Sequence, residues 1–117
     1  MINTKISRFE DGAISGFTVK GHAGYAEAGN DIICAAVSAL CYTAAGYFES
    51  GETCGARTAF TERDGYMKFQ ILERGSEEDR IKTEAVLTAW RIGLLQIQAS
   101  YGKKYLKIIL VRQIQVL

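Results

Sequence analysis

The chain has 117 residues, 48% of them hydrophobic, and a formal net charge of +1. That length suits one domain with a core that needs neither metal nor disulfide support. The near-balanced charge gives no footprint for naked nucleic acid, so no direct nucleic-acid partner is expected. No run of eighteen apolar residues offers a membrane span. The alternating start Met1-Ile2-Asn3-Thr4-Lys5-Ile6 lacks the basic-then-apolar layout of a signal peptide, which points to the cytoplasm.

In chain order, Ile2 to Phe9 and Ala13 to Lys20 are β-prone runs around a turn at Glu10-Asp11-Gly12, and they predict a hairpin. The loop Ala23 to Asn30, with its glycines and alanines, is expected to be pliable. Asn30 or Asp31 is the expected N-cap of a helix running to Glu49 or Ser50, with Gly51 as its stop. Its stripe Ile33, Val37, Leu40, Ala44 and Tyr47 or Phe48 is expected to face the sheet. Cys34, Ser38 and Cys41 fall on an adjoining face.

A second hairpin is predicted from Arg57 to Glu62 and Tyr66 to Glu73 about Arg63-Asp64-Gly65. A long helix follows from Glu77 to Ser100, ended by Gly102. It carries two apolar stripes, one of Ile81, Ala85, Thr88, Ile92, Leu95 and Ala99, the other of Leu87, Trp90, Leu94, Ile97 and Tyr101. A helix apolar on two sides calls for two partners, and in a short chain the second is a subunit interface. A last strand is predicted from Tyr105 to Val116. The order ββαββαβ predicts one α+β domain over residues 1–117, with two layers and both helices against one face of a mixed sheet of about five strands.

The chemistry concentrates between Gly21 and Ser38. His22, the sole histidine, ends a strand twelve positions before Cys34, which sits in a helix's first turn. Free amides at a helix start lower a thiol's pKa and can hold an oxyanion, and an imidazole in reach can take the thiol proton and return it to a leaving group. Each residue also has a structural reading. Cys34 can be a small core residue, His22 a surface residue without a task, and Asp31 a helix cap rather than the group that orients His22. Gly21 permits close backbone approach. Tyr25 and Glu27 are either solvent-facing or a lid, and Ser38 is a packed small residue or a lining one. Cys41 and Cys54 lack the helix-start position and read as structural. Without a C-x-x-C pair all three cysteines are expected as free thiols, and one histidine with unpaired cysteines argues against zinc.

Gly21-His22-Ala23 followed by Gly29-x-Asp31-Ile32-Ile33-Cys34-Ala35-Ala36-Val37-Ser38 closely resembles the ribosomal-processing cysteine protease family called Prp, over essentially the whole chain. The resemblance implies a homodimeric peptidase that removes the N-terminal extension of large-subunit ribosomal protein twenty-seven, cut after paired aromatic residues. Cys34 would be the nucleophile, His22 the general base and acid, and Asp31 a supporting residue. Gly21, Ala23, Tyr25 and Ser38 would line the substrate, and no metal or organic cofactor would be needed. Two rival readings remain. One is a non-catalytic ribosome-assembly or peptide-binding factor. The other is a redox-sensing thiol, weakened because Cys41 lies about 10 Å along the helix from Cys34, too far for a disulfide.

Overall fold

The computed structural model describes residues 1–27 and 29–112, the last of these by its backbone alone. Its elements run β1 (Ile2–Arg8), β2 (Ile14–Lys20), α1 (Ile32–Glu49), β3 (Arg57–Arg63), β4 (Tyr66–Glu73), α2 (Glu77–Tyr101) and β5 (Leu106–Arg112). This is the predicted order. The final strand is described only to Arg112, so the expectation for 113–116 lies outside the described residues. The sheet order is β3-β4-β2-β1-β5. β1 pairs antiparallel with β2 and parallel with β5, which makes the sheet mixed. A chain that leaves α2 and returns beside β1 in parallel needs such a crossover, since no tight turn can join parallel neighbours.

Both helices cover one face. Phe17 of β2 and Phe69 of β4 are register partners and therefore project to the same side. Trp90 of α2 stacks on Phe17 with ring centroids 4.2 Å apart, while Phe48 of α1 lies 5.1 Å from Phe69. Ile6, Ile33, Val37, Leu87, Leu94 and Leu106 complete the centre of this core.

The sequence placed one cysteine on the wrong face. Cys41 is fully buried in the α1 stripe with Ile33, Val37 and Ala44, four and three residues along a helix from its neighbours. Leu40 turns instead to α2 and meets Gly93, where an added Cβ would lie 2.8 Å from the Leu40 side chain. The 18 residues of α1 are long and apolar enough to cross a membrane by length and composition. Their apolar stripe is spent on the core between sheet and α2.

On α2, Leu87, Trp90 and Leu94 are buried, whereas Ile81, Ile92 and Leu95 are 64%, 50% and 42% exposed. The predicted stripe that contains Ile81, Ile92 and Leu95 is thus open in the single chain.

Candidate active site

The site forms where the end of β2, the start of α1 and the β3–β4 turn meet. Asp31 adopts extended geometry (φ −86°, ψ 97°) and caps α1. Its Oδ1 accepts from the Ile33 and Cys34 amides at 3.1 and 3.0 Å, and its Oδ2 accepts from the Tyr25 amide at 3.1 Å. One carboxylate therefore fixes both the helix start and the loop before it. The Ala35 amide is satisfied by the Asp31 carbonyl at 3.1 Å. Of the first-turn amides expected to hold an oxyanion, those of Ile33 and Cys34 are engaged by the cap side chain and that of Ala35 by the Asp31 carbonyl. A different donor is aimed at the sulfur: the buried Ala23 presents its N–H to Cys34 Sγ at 3.2 Å.

His22 is set by the opposite side of the site. The Gly21 amide donates to the Gly65 carbonyl at 2.9 Å, which docks the β3–β4 turn against the end of β2. Gly21 has φ +94°, and a Cβ there would lie 2.6 Å from the Met1 carbonyl oxygen, so only glycine fits. The imidazole rests over Gly65, where an added Cβ would come 3.1 Å from Nε2. Asp64 Oδ1 lies 3.9 Å from the same nitrogen. Asp64 escaped the sequence reading because it is 42 residues from His22 and reads as an ordinary turn residue. The Asp-Gly turn itself was the available signal.

Two cavities flank this centre, and His22, Cys34, Ser38 and Asp64 line both. One, about 460 Å³, runs between α1 and the β3–β4 hairpin over an apolar floor that includes Val19, Val37 and Met67. The other, about 500 Å³, lies under the loop and includes Gly24, Gly29, Asp31 and Ala35. Gly21 joins the first. Tyr25 lines neither, since its ring stands edge-on to Tyr101 and Tyr105 at 5.8 and 5.3 Å. Together with the Ala23 and Tyr25 amide bonds, this ties down the first part of a loop expected to be pliable. Among the described residues no group of three or more His, Cys, Asp or Glu is placed to hold a metal ion.

The electrostatics differ from the helix-start expectation. Burial pushes the Cys34 thiol above its ordinary value, and the Asp31 carboxylate adds to this through hydrogen bonding and charge. Only the Ala23 amide pulls notably the other way. The thiol is therefore protonated at neutral pH and must give up a proton to attack. Burial also drives Cys41 up to about 11, which leaves it inert. For Asp31, burial raises the pKa but the Cys34 and Tyr25 amides outweigh it, so the net displacement is downward. A lowered folded-state value means that the carboxylate stabilises the fold at neutral pH, and this contribution is lost as acid takes the pH through the folded value. Asp31→Asn keeps an equally good cap and removes the charge. It is expected to shift the pH midpoint of Cys34 alkylation by iodoacetamide downward, read site by site by mass spectrometry. An unmoved midpoint would show that Asp31 does not govern the thiol.

A thiol with an amide aimed at its sulfur and an imidazole that lines the same two cavities make an arrangement that nucleophilic thiol chemistry can use. The chain belongs to the family of the cysteine protease Prp, whose model matches residues 1–107. The ribosomal processing cysteine protease Prp of Bacillus subtilis (strain 168) is 30% identical over 101 residues, which are 86% of this chain and 90% of that protein. The essential ribosomal processing protease Prp of S. aureus, in complex with a covalently linked product peptide, superposes with a TM-score of 0.80 at 19% identity, covering 95% of this chain and all of that one. The same protease with a substrate peptide gives 0.70 at 20% identity, covering 97% and 100%. These two likenesses speak to the fold.

Proposed function

We propose that this cysteine protease works through a Cys34–His22 dyad and removes the N-terminal extension of large-subunit ribosomal protein twenty-seven. The observation that carries the dyad is the shared lining: both residues line both cavities, so a peptide held in the site lies beside both. The substrate is supported by the Bacillus subtilis relative's ribosomal processing name.

His22 takes the thiol proton as Sγ attacks the scissile carbonyl. The Ala23 N–H, aimed at the sulfur, stabilises the thiolate as the proton leaves. His22 then protonates the leaving amine, and water activated by the same imidazole releases the acyl group from Cys34. No metal or organic cofactor enters these steps.

Both Asp31 oxygens are occupied by amides, so Asp31 supports the dyad by holding the loop and helix. The positioning carboxylate for the imidazole is Asp64. Asp64→Asn keeps a good turn residue and removes the charge. Because the pair is exposed, kcat is expected to fall only about 2–5-fold with KM unchanged. The difference should vanish at ~0.5 M salt, where such a pair is screened; a loss confined to KM would dismiss the role.

The open α2 stripe of Ile81, Ile92 and Leu95 supports a homodimer. Ile92→Asp combined with Leu95→Asp is expected to give monomers in sedimentation velocity, and an unchanged mass would move the interface elsewhere. Its free thiols suit a cytoplasmic setting.

Incubation of wild type with a peptide spanning the extension of the host's own ribosomal protein, read by mass spectrometry, tests the whole reading. A single cut is expected. Binding without a cut would favour a non-catalytic assembly factor.

A further inference from the structure

The face of the sheet away from the helices carries a regular array of positive charge. Register places Lys107, Asn3, Lys20, Tyr66 and Arg63 in one row across all five strands, and Ile109, Lys5, Thr18, Lys68 and Thr61 in the next. Each strand thus contributes one exposed cation: Lys107, Lys5, Lys20, Lys68 and Arg63. The Arg63 guanidinium and the Lys20 ammonium lie 4.2 and 5.7 Å from the Tyr66 ring centroid, which confirms that these three share the face.

No acidic residue stands in either row. Glu62 belongs to the helix side, where it accepts from the Tyr42 hydroxyl of α1. Glu73 is at the far end of its strand, paired with Arg57 at 3.2 Å. With strands ~4.8 Å apart and a rise of ~3.4 Å per residue, the cations zigzag at spacings of ~8 Å over a span of ~19 Å. A net charge of +1 averages over this segregation, so the absence of a nucleic-acid footprint inferred from it does not extend to this face.

We propose that the open sheet face is a docking surface for RNA, read through its phosphate backbone. The partner must be a repeating polyanion, because the cations repeat and no carboxylate interrupts them. Polar Asn3, Thr18 and Thr61 take three of the five intervening positions, suited to phosphate and ribose hydroxyls, and Tyr66 and Ile109 take the other two. A lipid surface would instead call for a set of apolar side chains to insert among the charges, and the two rows hold only Ile109 and the Tyr66 ring, which the Arg63 and Lys20 cations cover. Lys20 directly precedes Gly21-His22, so RNA on this face would hold the catalytic cleft beside it.

The test is fluorescence anisotropy of a labelled single-stranded RNA 16-mer with the intact protein. Five phosphate contacts predict an affinity falling about 100-fold between 50 and 200 mM salt. Lys5→Glu combined with Lys68→Glu is expected to weaken binding at least tenfold at low salt, while Lys82→Glu on α2 leaves it unchanged. Cleavage of free peptide by the double variant should be unaltered, since neither lysine lines the cleft. Absence of salt-dependent binding, equal loss in the Lys82 variant, or binding to phosphatidylserine vesicles without binding to RNA would each overturn the proposal.

Discussion

Cys34→Ala is expected to abolish cleavage of the extension peptide, with kcat/KM falling by about four orders of magnitude or more. Alanine cannot form the acyl-enzyme, and its methyl group gives the Ala23 N–H nothing to contact at the sulfur's position. The fold should survive, because Cys34 is only half-buried and α1 keeps its Asp31 cap. Peptide affinity should therefore change little. His22→Ala should fall nearly as far: the thiol is held in its protonated form by burial and by Asp31, so it depends on a base to become a nucleophile. Single-turnover kinetics with both variants checks this. Residual cleavage within tenfold of wild type in either would remove that residue from the dyad.

Phe17→Ala is expected to cost about 3–5 kcal/mol, the largest loss of stability foreseen for one side chain. Phe17 is 1% exposed and stacks between Trp90 of α2 and Phe69 of β4, so truncation empties the junction of sheet and helix. A domain of this size holds roughly 6–17 kcal/mol in total, and the midpoint of thermal unfolding should drop by about 12–20 °C. Phe17→Leu should recover most of this, since it leaves a smaller void. Circular dichroism melts of the pair settle the matter; a drop of only a few degrees for Phe17→Ala would mean that the junction collapses to fill the cavity. β2 ends at Lys20, immediately before Gly21-His22, so such a variant should also lose activity well below its melting point.

The segment proposed as catalytic and the order of elements could be read from local chemistry. Asp31 before an apolar run and Asp64-Gly65 between β-prone runs are signals that act within a few residues, and each sits where such residues form caps and turns. Cys41 was misplaced because helix spacing ranks faces only relative to one another, and Leu40 rather than Cys41 turned to the second helix. The expected lowering of the Cys34 pKa failed for a related reason. The helix start was present, but its amides were given to Asp31, and burial beside a carboxylate decided the sign.

The sequence by itself determined the seven elements, the glycine at position 21 and the thiol and imidazole proposed as the dyad. All of these follow from covalent geometry and short-range hydrogen bonding. Only the tertiary structure decided that Asp64 faces His22, that the Ala23 amide faces Cys34, that Tyr25 is held against Tyr101 and Tyr105, and that five cations share one sheet face. Those relations join residues far apart in the chain. They depend on strand register and on which helix face turns inward, and packing settles both only when every element is in place.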